Sequence, residues 1–168
     1  GRIVVPTLGK AEYADYFSPK GALVRVEEGA LTAQITGKQR YKIGLKSSNT
    51  IGRAAYVAPL TGDSHVLIVR SFHNDPSLPY ADEPPGAPGN SGFSIHIYND
   101  DGGAGGFGEM ENMGKTIGGS AARWRSIDTF ETWVYHGTFR QLEAISSVMV
   151  GPACTRHGLE VQDDEFSI

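Results

Sequence analysis

A chain of 168 residues with 39% hydrophobic and 20% charged residues has the composition of one ordinary globular domain, long enough to bury a substantial core. Its formal charge of −4, without a long basic run, argues against nucleic acid as the main partner. No stretch approaches the roughly 20 apolar residues that cross a bilayer, so a soluble chain without a membrane partner is expected.

The first apolar run, Arg2 to Pro6, reads as an edge strand or lead-in segment, because proline cannot donate to a ladder. Ala22–Glu28 and Leu31–Thr36 alternate well enough to be a hairpin, with Glu28-Gly29-Ala30 as its turn. Arg40 to Leu45 is a strand with Arg40 and Lys42 on one side and Tyr41 and Ile43 on the other. Ala54 to Val57 continues the sheet, and Thr61-Gly62-Asp63 is turn chemistry. His65 to His73 is largely apolar on both faces, as a central strand would be. From Asn74 to Asn90 five prolines and several acids predict a long irregular excursion.

Two strands joined by a glycine-rich turn follow, between Gly92 and Met113. In the first, Phe93, Ile95 and Ile97 alternate with Ser94, His96 and Tyr98, which places His96 and Tyr98 on the polar face. In the second, Glu109 and Glu111 share one face and Met110 takes the other, while Gly108 leaves room for a close approach. Two carboxylates on one face repel unless water, a cation, a proton or a hydroxyl-rich ligand relieves them. Lys115 to Gly119 is a loop. Ser126 to His136 returns to strand pattern, with Glu131 and Trp133 on one face. Thr138 to Val150 is the one good helix, capped by Thr138 and ended by Gly151-Pro152. The fold expected is an all-β antiparallel sandwich over residues 1–151, with one C-terminal helix and a polar tail over 152–168.

Several motifs are excluded or weighed down. No Gly-x-Ser-x-Gly elbow, phosphate loop or dinucleotide fingerprint occurs, and no cofactor is expected. The single cysteine, Cys154, allows neither an internal disulfide nor a paired-cysteine metal site, and leaves the compartment open. Asn99-Asp100-Asp101-Gly102 has oxygen ligands for calcium but lacks the spacing and closing glutamate of the calcium loop, so a turn is favoured. His65 and His73 lie too far apart along a strand to share a metal. No metal site is expected. Trp124, beside Arg123 and Arg125, belongs at a surface. Trp133 suits a sugar-stacking platform, although a core tryptophan is the commoner outcome.

The order of five pieces resembles the C-terminal half of the galactose mutarotase-like β-supersandwich, the fold of aldose 1-epimerases and many carbohydrate-handling proteins, and looks closest to an uncharacterised bacterial branch. The pieces are Ala14-Asp15-Tyr16-Phe17, Arg40 to Leu45, Ile97-Tyr98-Asn99-Asp100, Phe107-Gly108-Glu109-Met110-Glu111, and Phe130-Glu131-Thr132-Trp133 before the helix. The resemblance implies a groove for carbohydrate in which a glutamate acts as base on the anomeric hydroxyl. Glu109 and Glu111 are both candidates for that position, and the match does not decide between them. Arg40, Lys42, His96, Tyr98 and Trp133 are the candidate sugar contacts. The mutarotase histidines precede the matched region, so no histidine here inherits their role. A full supersandwich is longer than this chain, which implies completion by a second chain, a second copy or a further segment. Three functional classes follow as expectations: an epimerase-like enzyme, a non-catalytic sugar-binding module, and a structural subunit completing another chain's sheet. The bland reading of the carboxylates is a solvated face, or ion pairs with Arg40, Lys42 or Arg70.

Overall fold

The computed structural model describes residues 1–17, 23–81, 92–117 and 124–151. Nine strands and one helix follow in order: β1 (Arg2–Lys10), β2 (Tyr13–Phe17), β3 (Val24–Gln34), β4 (Tyr41–Leu45), β5 (Arg53–Pro59), β6 (Ser64–Phe72), β7 (Ile95–Asn99), β8 (Gly108–Asn112), β9 (Phe130–Thr138) and α1 (Phe139–Met149). They form two antiparallel sheets, one of order β3-β1-β5-β6-β9 and one of order β2-β4-β7-β8. The all-β sandwich with a C-terminal helix is the expected fold class. The predicted tail over 152–168, Cys154, Arg123 and the second half of the excursion after Asn74 lie outside the described residues.

Strand alternation builds two cores, one on each face of the five-stranded sheet. Ile3 and Val5 of β1, Leu31 and Ala33 of β3, Ala54 of β5 and Phe72 of β6 face the four-stranded sheet, whose Tyr41, Ile43, Leu45, Ile95 and Ile97 complete that cluster. On the opposite face Val4, Ala30, Ala55, Val57, Leu67 and Val69 pack with Leu142 and Val150 at the helix. The larger sheet is therefore the middle of three layers. The helix starts where Thr138 and Gln141 form a reciprocal capping box.

Two expectations fail for reasons of chain chemistry. The hairpin between 22 and 36 is instead the single continuous strand β3, paired with β1 from Arg2↔Gln34 to Lys10↔Glu28. The register shift between Pro6 and Lys10 sets residues 7–9 of β1 against the single Gly29 of β3, a bulge in β1 with Gly9 at φ 74° and Gly29 at φ 82°, so Gly29 bends a continuous strand where a turn is expected. Arg2–Pro6 is not an edge either, since β1 has β3 on one side and β5 on the other. Its pairing with β5 stops at Val4↔Ala55, so Pro6 lies beyond the stretch where a missing N–H toward β5 would be felt. β6 is internal, as its two apolar faces predict, between β5 and β9.

Candidate functional site

The outer face of the four-stranded sheet, turned away from the shared core, carries most of the candidate residues. With Tyr41, Ile43, Ile95 and Ile97 committed inward, the period of two sends Lys42, His96 and Tyr98 outward, and Met110 inward sends Glu109 and Glu111 outward. Strand register aligns Phe17, Lys42, Tyr98 and Glu109 in one row across β2, β4, β7 and β8. Gly44, His96 and Glu111 form the next row.

Lys42 Nζ lies 3.1 Å from Glu111 Oε2 on the diagonal between these rows and 5.5 Å from the centre of the Tyr16 ring. Arg40, just before β4, stacks its guanidinium 4.4 Å from the centre of Phe17 and 5.9 Å from that of Tyr98. Among the described residues no carboxylate pairs with it, although the residue is exposed and its guanidinium has five N–H donors. The Tyr98 ring also leans on Phe107, with centroids 5.7 Å apart.

The two carboxylates, indistinguishable in the sequence, differ here. Glu111 has the lysine, whereas Glu109 has no cation at ion-pair distance among the described residues. Partial burial, a shared hydrogen bond with Glu111 and the charge of Glu111 all push the Glu109 carboxyl above its ordinary value, and Lys42 offsets only part of this. A carboxyl raised on folding costs stability while ionised, and the cost vanishes as pH falls below its unfolded value. Glu109→Gln is therefore expected to raise the Tm at pH 7 and to leave it unchanged at pH 3, as thermal melts at the two pH values will show.

Two candidates are placed otherwise. His96 lies on the outer face but is fully buried under an aromatic cap. The Tyr16 hydroxyl shares a hydrogen bond of 3.0 Å with its Nε2, and the Tyr16 and Phe93 rings meet the imidazole edge-on at 5.1 and 5.9 Å. Phe93 breaks the alternation expected of it: β7 begins only at Ile95, and the Phe93 ring crosses to the outer face over Gly44. A side chain at Gly44 would place its Cβ 2.7 Å from that ring, so glycine is what lets the cap close. Trp133 lies in the other sheet, on its helix side, where it packs against the second core and lines a small cleft with Arg53, Val69 and Met149. It shares no surface with Glu109.

Asp100 fixes the glycine-rich turn between β7 and β8, as the turn reading predicts. Its Oδ2 accepts from the backbone N–H groups of Gly102, Ala104 and Gly106 at 2.9, 3.1 and 3.1 Å, and its Oδ1 accepts from the Tyr98 hydroxyl. Burial alone would raise this carboxyl, but these donors together outweigh it and hold it below the ordinary value. Asn99, fully buried, bonds the chain just ahead of Arg40: its side-chain oxygen accepts from Thr36 and Gly37, and its amide donates to the Gln39 carbonyl. Trp124 is exposed, as expected.

One polar cluster carried no signal in the sequence. The Lys115 side chain, 4% exposed, donates to Asp128 Oδ1 and lies 3.0 Å from His73 Nδ1, while Ser126 Oγ donates to Asp128 Oδ2 at 2.7 Å. Burial would raise Asp128, yet the lysine and the serine hold its carboxyl below its ordinary value. These residues come from separate loops, so no local spacing announces them. Among the described residues no three His, Cys, Asp or Glu side chains gather closely enough to hold a metal ion, and no helix is long and apolar enough to cross a membrane.

No family model, curated protein or solved structure matches the chain.

Proposed function

We propose that this chain binds carbohydrate on the outer face of its four-stranded sheet. The observation that carries the reading is the row from Phe17 to Glu109, where Phe17 and Tyr98, the Arg40 guanidinium stacked against them, Glu109 and, in the next row, Glu111 share the outer face. Sugar C–H faces pack on aromatic rings, while carboxylates accept from ring hydroxyls and a guanidinium donates to ring and carboxylate oxygens. Arg40, Tyr98, Glu109 and Glu111 are the contact residues, with Lys42 orienting Glu111. His96 acts indirectly, by holding Tyr16. The resemblance of the sequence motifs to mutarotase-like proteins points the same way.

Phe17, Arg40 and Glu109 are exposed along this face, which suits a binding module. A second reading is favoured by one observation, the raised carboxyl of Glu109: proton transfer at a sugar anomeric carbon with Glu109 as the base. Glu111, held by Lys42, is the poorer base.

Titration calorimetry against a panel of neutral and uronate-containing oligosaccharides tests the reading. Saturable binding is expected, weakened at least tenfold by Arg40→Ala and by Glu111→Gln; failure of every sugar to bind, or binding indifferent to both variants, rules it out. Polarimetry on the same sugars separates the two readings. Anomer equilibration that is lost in Glu109→Gln means catalysis, and binding without turnover means a module.

A further inference from the structure

Among the described residues the sandwich has four sheet edges, and three carry features that discourage pairing with another chain. β3 has Arg25, Glu27 and Glu28 and is bent at Gly29, opposite the bulge in β1. β2 is five residues long, carries Asp15 and slips register between Asp15 and Phe17. β8 is also five residues long and presents Glu109 and Glu111. Shortness, charge and bulges are the usual protections of an unpaired strand.

β9 is neither short nor bulged, and it carries little charge. It runs for nine residues, Phe-Glu-Thr-Trp-Val-Tyr-His-Gly-Thr, in unbroken register with β6 from Phe72↔Phe130 to Ser64↔Thr138. It contains no proline, no lysine and a single acid, Glu131. Among the described residues its other edge has no strand beside it. Its sheet face is open too. Arg70 of β6 donates to the Met110 carbonyl, so β8 stands over β6, and β9 lies outside the smaller sheet. Phe130 is 58% and Val134 65% exposed as a result.

We propose that β9 is an interface on which a second copy of this chain pairs, antiparallel, about a two-fold axis through Val134. The side chains are self-complementary in that register. Val134 stands opposite its own copy, Trp133 opposite Tyr135, Thr132 opposite His136, and Phe130 opposite Thr138. Glu131 meets Gly137, so no like charges face each other. Trp133 with Tyr135 and Phe130 with Thr138 are aromatic–aromatic and aromatic–β-branched pairs, which are favourable in antiparallel sheets. A two-fold contact of a strand with itself also closes, leaving no free edge at that side for further growth. The two five-stranded sheets become one continuous sheet, with a helix layer on one face of each half. The saccharide face, on the other sheet, is left free.

Light scattering coupled to size exclusion on the full chain is the test. A particle of twice the 18.0 kDa chain mass is expected. Val134→Lys, at an exposed position, is expected to give a monomer with an unchanged far-UV spectrum. Val148→Lys, on the exposed face of α1 at 79% exposure, is the control that stays dimeric. Hydrogen exchange read by mass spectrometry locates the contact: β9 amides are protected in the dimer and exchange in the Val134→Lys monomer. A monomeric parent chain overturns the proposal, whether its β9 amides exchange freely or are protected by another part of the same chain. A dimer that survives Val134→Lys overturns it as well, as does open-ended assembly that grows with concentration.

Discussion

Replacing Lys115 with methionine is expected to lower the free energy of unfolding by about 3 kcal/mol, the low end for breaking a buried ion pair, because Asp128 retains partial access to water. The loss arises less from the missing contact than from the carboxylate left behind, still holding the Ser126 hydroxyl but without its cation. Adding Asp128→Asn to the same chain should restore much of the stability, with a coupling of about 1–3 kcal/mol between the two positions in a denaturant double-mutant cycle. The acid limb supplies an independent check. Asp128 is depressed on folding, so its contribution is fully present above the unfolded carboxylate value near 3.9 and disappears as pH falls through its folded value. Stability of the parent chain should therefore fall steeply below about pH 4, and that slope should be shallower in Lys115→Met.

Asn99→Ala is expected to cost about 2 kcal/mol, because it removes at once the acceptor of the Thr36 and Gly37 N–H groups and the donor to the Gln39 carbonyl, bonds worth ~0.5–1.5 kcal/mol each where the chain is only partly buried. Asn99→Asp keeps the two acceptor bonds but aims a carboxylate oxygen at the Gln39 carbonyl in a fully buried site, so at neutral pH its cost should be no smaller than that of the alanine variant. Urea titrations give both values. The alanine variant should also weaken saccharide binding, since residues 36–39 set the approach of Arg40 to Phe17 and Tyr98. A loss of stability with affinity intact would show that Arg40 is placed by its aromatic neighbours alone.

Much of the sandwich was legible because alternation is a direct consequence of strand geometry. Lys42 against Tyr41 and Ile43, Tyr98 against Ile97, and Glu109 and Glu111 against Met110 all face as their periods predict, which is why most of the candidate surface could be assembled from one sequence. The Thr138 cap and the helix after it were equally plain. What escaped had no local signature. Glu28-Gly29-Ala30 fits a bend in a continuous strand, opposite a bulge, as well as it fits a turn, and only the partner strand decides. Pro6 disqualifies a strand from the interior only if a neighbour requires its N–H. Phe93 obeys the period on paper, but the strand begins two residues later, and that places His96 under a cap instead of at the surface. Trp133 has the right chemistry on the wrong layer. Lys115, Asp128 and His73 meet only because distant loops converge.

The middle sheet is a wall held in common by two rooms. Neighbouring residues of β1, Val4 and Val5, furnish opposite sides of it, as do Ala54 and Ala55 of β5. A change of side-chain volume on one side displaces the backbone from which the other side hangs, so the helix layer and the smaller sheet are not independent compartments for sequence drift. The wall is thin where alanines line it, at Ala30, Ala33, Ala54 and Ala55, and enlarging any of them presses on both rooms at once. Variation tolerated around the helix is in this way filtered by what the four-stranded sheet, two layers away, can absorb.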